Sequence, residues 1–135
     1  MPLNFDFEFF YPSLPRITVV LTSLESGRSG RTGALLDTGA EVTLFDSSVA
    51  QRLGIDLARA AAIPVSGVGG ALSDAKLATV QLALLGEPDL TVSLPVAFAS
   101  IEGLAVGNLI GLDVLSHFDF GLSHRDRLGY LGRPG

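Results

Sequence analysis

The six residues Leu35-Leu36-Asp37-Thr38-Gly39-Ala40 constrain this chain more than any other stretch. The two leucines read as the end of a buried strand, and the acid follows them directly. Gly39 then allows a sharp turn or a close backbone approach. A carboxylate set straight after a buried strand loses hydration unless other groups hold it, the usual situation of an acid with chemistry to perform. Taken alone, Asp-Thr-Gly is also an ordinary turn sequence, because Asp and Gly both favour turns. The rest of the chain has to decide between the two readings.

With 135 residues, 47% of them hydrophobic, and sixteen glycines, the chain predicts one turn-rich globular domain over 1–135. No apolar run approaches the length of a membrane span. Met1 to Tyr11 carries acids and no basic leader, so a secretory signal is not expected and the location reads as cytoplasmic. Cysteine is absent, which removes disulfides, thiolate catalysis and cysteine-based zinc sites. The net charge of −5, with no basic patch beyond Arg125 and Arg127, argues against nucleic acid as a partner.

Taken in order, Phe5, Phe7 and Phe9 alternate with Asp6 and Glu8, the period of a half-buried strand. Residues 1–12 form an extension or strand that packs on the body or on a partner, and Pro12 and Pro15 end it. Ile17 to Leu21 and Thr32 to Leu36 read as a strand pair joined by the loop Ser26 to Gly30, and the second strand delivers Asp37. Val42 to Phe45 is extended. Asp46-Ser47-Ser48 offers helix caps, Val49, Ala50 and Leu53 follow at helical spacing, and Gly54 stops the helix. The alanine-rich run from Ile55 to Ile63 gives no clear pattern.

Residues 64–74 contain Ser66-Gly67-Val68-Gly69-Gly70 between two β-capable arms, either a plain flexible hairpin or a lid over a site. It is no phosphate loop, since no Lys-Ser/Thr follows in a strand–loop–helix setting. Lys76 to Leu85 and Leu90 to Ala99 alternate as strands about a turn at Gly86 to Asp89. Gly103 to Gly107 is a loop. Asn108 to Gly111 is a short buried strand, and Leu112 to Phe118 a helix with Leu112, Leu115 and Phe118 on its apolar side. Residues 118–120 and 127–131 form a final hairpin around Ser123 to Asp126. Many short strands, close turns and two short helices predict an all-β domain, a small barrel or sandwich.

With these pieces in order, the chain resembles the retropepsin-like aspartic proteases, in their single-domain cellular and bacterial branch. The match consists of an apolar pair with Asp37-Thr38-Gly39-Ala40, the glycine-rich Ser66 to Gly70, and Leu109-Ile110-Gly111-Leu112-Asp113 opening a C-terminal helix. It covers roughly residues 15 to 131. Viral members often carry an arginine where Leu112 stands, pairing with an acid at the position of Glu41, and here that partner is missing. The resemblance implies a small closed all-β barrel with a flap over residues 64–74, and an aspartic endopeptidase acting on extended polypeptide without a cofactor or metal.

Peptide hydrolysis by this route needs two carboxylates, one ionised to activate water and one protonated to donate to the scissile carbonyl. This chain has one Asp-Thr-Gly. Asp37 must therefore meet its mate across a two-fold axis, so a homodimer is a chemical requirement of the reading. Thr38 would brace the two loops, Gly39 would admit substrate backbone, and Ala40 would keep the wall low. Leu35, Val68 and Leu109 are candidate pocket walls, while Ile110 and Gly111, with Asp113 in the same motif, would pack beneath the loop.

Asp113 and His117 stand four apart on the expected helix, which favours a surface or capping contact over a metal pair. His124 sits in a polar turn and reads as solvated. The competing readings are a catalytically silent dimerisation or peptide-binding module on the same fold, and an acidic metal-binding β domain. Retention of Asp37 argues against the first, and two histidines without a third ligand motif argue against the second.

Overall fold

Segments with period-two burial build most of this protein, a computed structural model that describes residues 7–67, 70–72, 74–101 and 107–133. The first half contains β1 (Phe7–Phe10), β2 (Arg16–Ser23), β3 (Ser29–Leu36), β4 (Leu44–Asp46), α1 (Ser47–Arg52) and β5 (Ala61–Ala62). Then come β6 (Val65–Gly67), β7 (Gly70–Leu72), β8 (Lys76–Leu84), β9 (Glu87–Ala99), β10 (Leu109–Ile110), α2 (Leu112–Leu115), β11 (Asp119–Ser123) and β12 (Leu128–Gly132).

In β2, Ile17, Val19, Leu21 and Ser23 point inward while Arg16 and Thr18 face water. β3 returns antiparallel to β2, from Thr22 opposite Ser29 to Arg16 opposite Leu35. The main sheet runs β2-β3-β10-β4-β9-β8-β5, and β8 also pairs with β2. That last pairing closes six strands into a barrel and removes their free edges. Its interior is filled by Val19, Leu21, Phe45, Val80, Leu82 and Phe98, all fully buried. Each contributes about 1.5–3 kcal/mol of apolar burial.

A second apolar cluster, Leu44, Ala75, Ala97, Ala99 and Ile101, lies on the opposite face of β4 and β9. Val65 and Leu72, opposite each other in the separate two-stranded ladder of β6 and β7, pack against it. The hairpin expected over 64–74 therefore has its arms where the sequence puts them. Its tip, Val68 and Gly69, and Ser73 lie outside the described residues.

The ends of the chain meet in a third sheet of order β1-β12-β11. Phe9 sits opposite Gly129, and its ring fills the place of a side chain there: a Cβ on Gly129 would run into Phe9 Cζ. Phe7 and Phe9 pack on the core, as the alternation predicts, whereas Phe10 is exposed. Phe5 and the rest of 1–6 lie outside the described residues, as do 103–106 of the expected loop.

Several expectations need correction. The hairpin between β8 and β9 turns at Leu85-Gly86, with Gly86 at φ +86°, so β9 starts at Glu87 rather than Leu90. A bulge opposite Ala83 and Leu84 absorbs Pro88, which has no N–H for the ladder. The helix expected over 112–118 is only α2, and Leu112 lies outside while Val114 and Leu115 are buried. The alanine-rich run forms a single 3-10 turn at Leu57–Arg59 followed by β5. His124 is exposed but not merely solvated: its ring stacks on Tyr11, and its Nδ1 lies 3.1 Å from the Tyr11 hydroxyl.

Candidate active site

Asp37 follows β3 directly, and three hydrogen bonds define its loop. The Asp37 N–H donates to Ile110 O at 2.9 Å, anchoring the acid to β10. The Gly39 N–H donates to Asp37 Oδ1 at 2.8 Å, and the Ala40 N–H to Asp37 O at 3.2 Å. The carboxylate is thus aimed by its own turn. Asp37 is half-buried, while Thr38 and Gly39 are exposed. A Cβ on Gly39 would stand 3.1 Å from Asp37 Oδ1, so any side chain there crowds the acid.

β10 lies between β3 and β4, parallel to the first and antiparallel to the second. Leu109 is opposite Leu35, which brings these two half-buried leucines together beside the loop. Ile110 is buried beneath it. Gly111 is pressed against the backbone of the loop: a Cβ would meet Ala40 O at 2.7 Å and the Val42 carbonyl at 3.0 Å. The Leu112 N–H donates to Ala40 O and the Asp113 N–H to Glu41 O, at 2.8 and 3.2 Å.

Two polar residues that sequence reasoning did not single out hold this arrangement. Thr43 is fully buried; its hydroxyl donates to Asp113 Oδ1 at 2.6 Å and accepts from the Gly111 N–H at 3.0 Å. Its N–H donates to both Asp113 oxygens at 3.0 Å. Asn108 accepts the Asp46 N–H at 2.8 Å and donates to Thr32 Oγ1 and Gly33 O, both at 3.1 Å, tying β3 to β4. The signal for Thr43 was a hydroxyl inside the apolar run Val42 to Phe45, since a buried polar group needs a partner.

Asp113 and His117 do not share a helix, because α2 ends at Leu115. The Asp113 carboxylate goes instead to Thr43 and to the Val114 N–H at 2.8 Å. Among the described residues no three His, Cys, Asp or Glu side chains gather as a metal site. No helix among them is long and apolar enough to cross a membrane. Among the described residues, one surface hollow lies beside Asp46, Gln51 and Asp56 and another beside Ser23, Ile55 and Arg59, and Asp37 lines neither.

A closed barrel with a β3-β10-β4 crossing beneath an Asp-Thr-Gly loop and a separate hairpin is the architecture of the retropepsin fold. The chain is similar in structure to a retropepsin-like aspartic protease from Rickettsia conorii, with a TM-score of 0.62 at 18% identity, covering 93% of this chain and 98% of that one. It is also similar to EIAV protease, solved in complex with the inhibitor HBY-793, with a TM-score of 0.58 at 20% identity, covering 77% and 86%. No curated protein matches it. The aspartyl protease family model matches residues 24–114, and the chain belongs to that family.

Proposed function

We propose that this protein is an aspartic endopeptidase active as a homodimer, with Asp37 of each copy forming one dyad. The observation that carries the reading is the Asp37 loop itself. It is fastened from behind to β10 and α2, its carboxylate is oriented by the Gly39 N–H, and Thr38 and Gly39 at its front are exposed. A second loop placed against that front would bring two carboxylates within about 3 Å, where they share one proton. The ionised partner then activates water against the scissile carbonyl, and the protonated one donates to the carbonyl oxygen.

Thr38, at the exposed tip, would brace the two loops, and Gly39 would let the substrate main chain approach. Leu35 and Leu109, side by side at the loop, would line an apolar subsite. Residues 64–74 would form the flap, Ser66 to Gly70 closing over an extended peptide as an added strand. Its arms are two short strands outside the barrel sheet, resting on an apolar cluster through Val65 and Leu72.

The test is cleavage of a mixed peptide library across about pH 4 to 7 by the purified chain and by Asp37→Asn. The reading expects cleavage by the parent alone, at apolar pairs, with a maximum on the acid side. A folded parent dimer that cleaves nothing would refute it. Equal cleavage by both proteins would refute the role of Asp37 and point to a contaminating protease.

A further inference from the structure

Among the described residues, Arg127 is the one residue other than glycine whose backbone has a positive φ, at 56°. It stands in the turn between β11 and β12. Glycine is the usual occupant of such a position, because a Cβ crowds the left-handed backbone. The arginine side chain does there what glycine could not. Its Nη1 donates to Ser13 O at 2.9 Å and to Pro12 O at 3.3 Å. The Arg127 carbonyl accepts the Tyr11 N–H at 3.0 Å, and the fully buried Tyr11 stacks its ring on His124 of the same turn. The turn therefore grips residues 11–13 of the link between β1 and β2. Attachment of β1 does not account for this grip, since β1 has its own ladder to β12, from Phe7 opposite Leu131 to Phe10 opposite Leu128.

The gripped segment opens a short path to Asp37. Pro12-Ser13-Leu14-Pro15 is a strap bounded by two prolines, whose rings fix φ. The Arg16 N–H donates to Leu14 O at 2.7 Å and closes a tight turn centred on Pro15. Pro15 O accepts the Leu36 N–H at 2.9 Å, while the next N–H, that of Asp37, goes to Ile110 O at 2.9 Å. Successive N–H groups of an extended chain point to opposite edges. The end of β3 is thus held by the strap on one edge and by β10 on the other.

We propose that Arg127 is a positioning residue for Asp37, acting through the strap of residues 12–15. The proposal rests on the reading of Asp37 as the catalytic acid. The Arg127 guanidinium acts on the strap, and its effect reaches the acid through Pro15 and Leu36. Loss of the grip lets Pro15 move and lengthens the Leu36 bond, and a misplacement of about 1 Å at a reacting group slows chemistry about a hundredfold. The cost falls on kcat, because the interaction lost positions the acid and does not hold substrate.

The experiment compares the parent with Arg127→Gly, Arg127→Lys and the control Arg125→Ala. Arg125 lies in the same turn, its side chain 90% exposed and 3.5 Å from Asp126. Three quantities are read on the full chain: the melting temperature, the exchange rate of the Leu36 amide proton by NMR, and kcat and KM on a peptide that the parent cleaves. Arg127→Gly should still fold, since glycine accepts the positive φ without strain. Its Leu36 amide should exchange faster, and its kcat should fall about tenfold to a hundredfold with KM within about twofold of the parent. Millimolar guanidinium should restore both, and Arg127→Lys, which keeps a charged donor, should recover part of the loss. Arg125→Ala should match the parent throughout.

An Arg127→Gly protein with parental kcat and parental Leu36 exchange would overturn the proposal while leaving Asp37 catalytic. A fall in kcat that only follows a fall in melting temperature, with no rescue by guanidinium, would also overturn it, since the arginine would then serve stability alone. A parent that cleaves nothing would overturn the peptidase reading itself, and with it any part of Arg127 in the reaction.

Discussion

Replacing Gly111 by alanine isolates one steric contact. Gly111 has φ −100° and ψ −170°, an extended conformation open to any residue, so the change carries no backbone strain of its own. The new methyl, however, would lie 2.7 Å from Ala40 O and 3.0 Å from the Val42 carbonyl carbon and oxygen. These are backbone atoms of the Asp37 loop and cannot rotate away. Forcing a methyl into a filled space costs about 1–3 kcal/mol. The displacement also stretches the bonds from Leu112 N–H to Ala40 O and from Gly111 N–H to Thr43 Oγ1, each worth about 1 kcal/mol. The alanine returns about 0.4–1 kcal/mol by stiffening the unfolded chain. The net loss is about 2–4 kcal/mol, a fall in Tm of about 8–16 °C for a domain of this size. Gly33→Ala is the matched control: it lies in β3, and its Cβ would meet nothing closer than Ile17 O at 3.9 Å. Thermal unfolding of both variants beside the parent decides the matter. Gly33→Ala should melt at or above the parent temperature, and a Gly111→Ala protein that does the same would refute the steric argument.

Thr43→Val keeps the shape but leaves the buried Gly111 N–H without its acceptor and Asp113 short of one donor, at a cost of about 2–3 kcal/mol measured by urea unfolding. Gly39→Ala places a methyl 3.1 Å from Asp37 Oδ1, so kcat on a peptide substrate should fall at least tenfold while the melting temperature barely moves. Asn108→Leu removes three bonds between β3 and β4 and should cost about 2–4 kcal/mol in the same urea assay. The Ser48 hydroxyl beside Asp46, followed by the Ile101 N–H, holds the Asp46 carboxyl below its ordinary value of 3.8 against the opposing effect of partial burial. A folded-state value below the unfolded one stabilises above the unfolded pKa, and this stability fades as pH falls through the folded value. Asp46→Asn should therefore flatten the loss of Tm below about pH 4, a small effect because the group is largely in water.

What was legible in the sequence was local. The alternation in Ile17 to Leu21 marks β2 because every second side chain is buried, and two residues of context suffice to see it. Asp46 before a serine pair announces α1 by capping chemistry, and Gly54 ends it at φ +69°. What was not legible depends on distant partners. Thr43 is fixed by Asp113, 70 residues away, and Asn108 reaches Asp46 and Thr32 across 62 and 76 residues. Leu112 was assigned inward because an apolar pattern over seven residues implies a face. A helix of four residues has barely one turn to define one, and main-chain bonds to the Asp37 loop set its direction instead.

The distribution of bonds about Asp37 is itself an argument for the second copy. Behind the loop, Ile110, Gly111, Leu112 and Asp113 each make a hydrogen bond to residues 37–43. In front, Thr38 and Gly39 are exposed. Fastening a loop this firmly restricts its backbone at a cost of about 1–2 kcal/mol per residue. A loop whose work was done by one chain would be expected at the floor of a cleft, where water is excluded and electrostatic interactions are stronger. This one is rigid and stands at the surface. Those two properties together suit a surface that docks against a copy of itself, since a preorganised loop loses little further freedom on binding and the cleft is made in the same step. Cleavage that rises with the square of protein concentration below the dimer Kd, and linearly above it, is the kinetic form of that argument, and strict linearity from the most dilute monomer upward would contradict it.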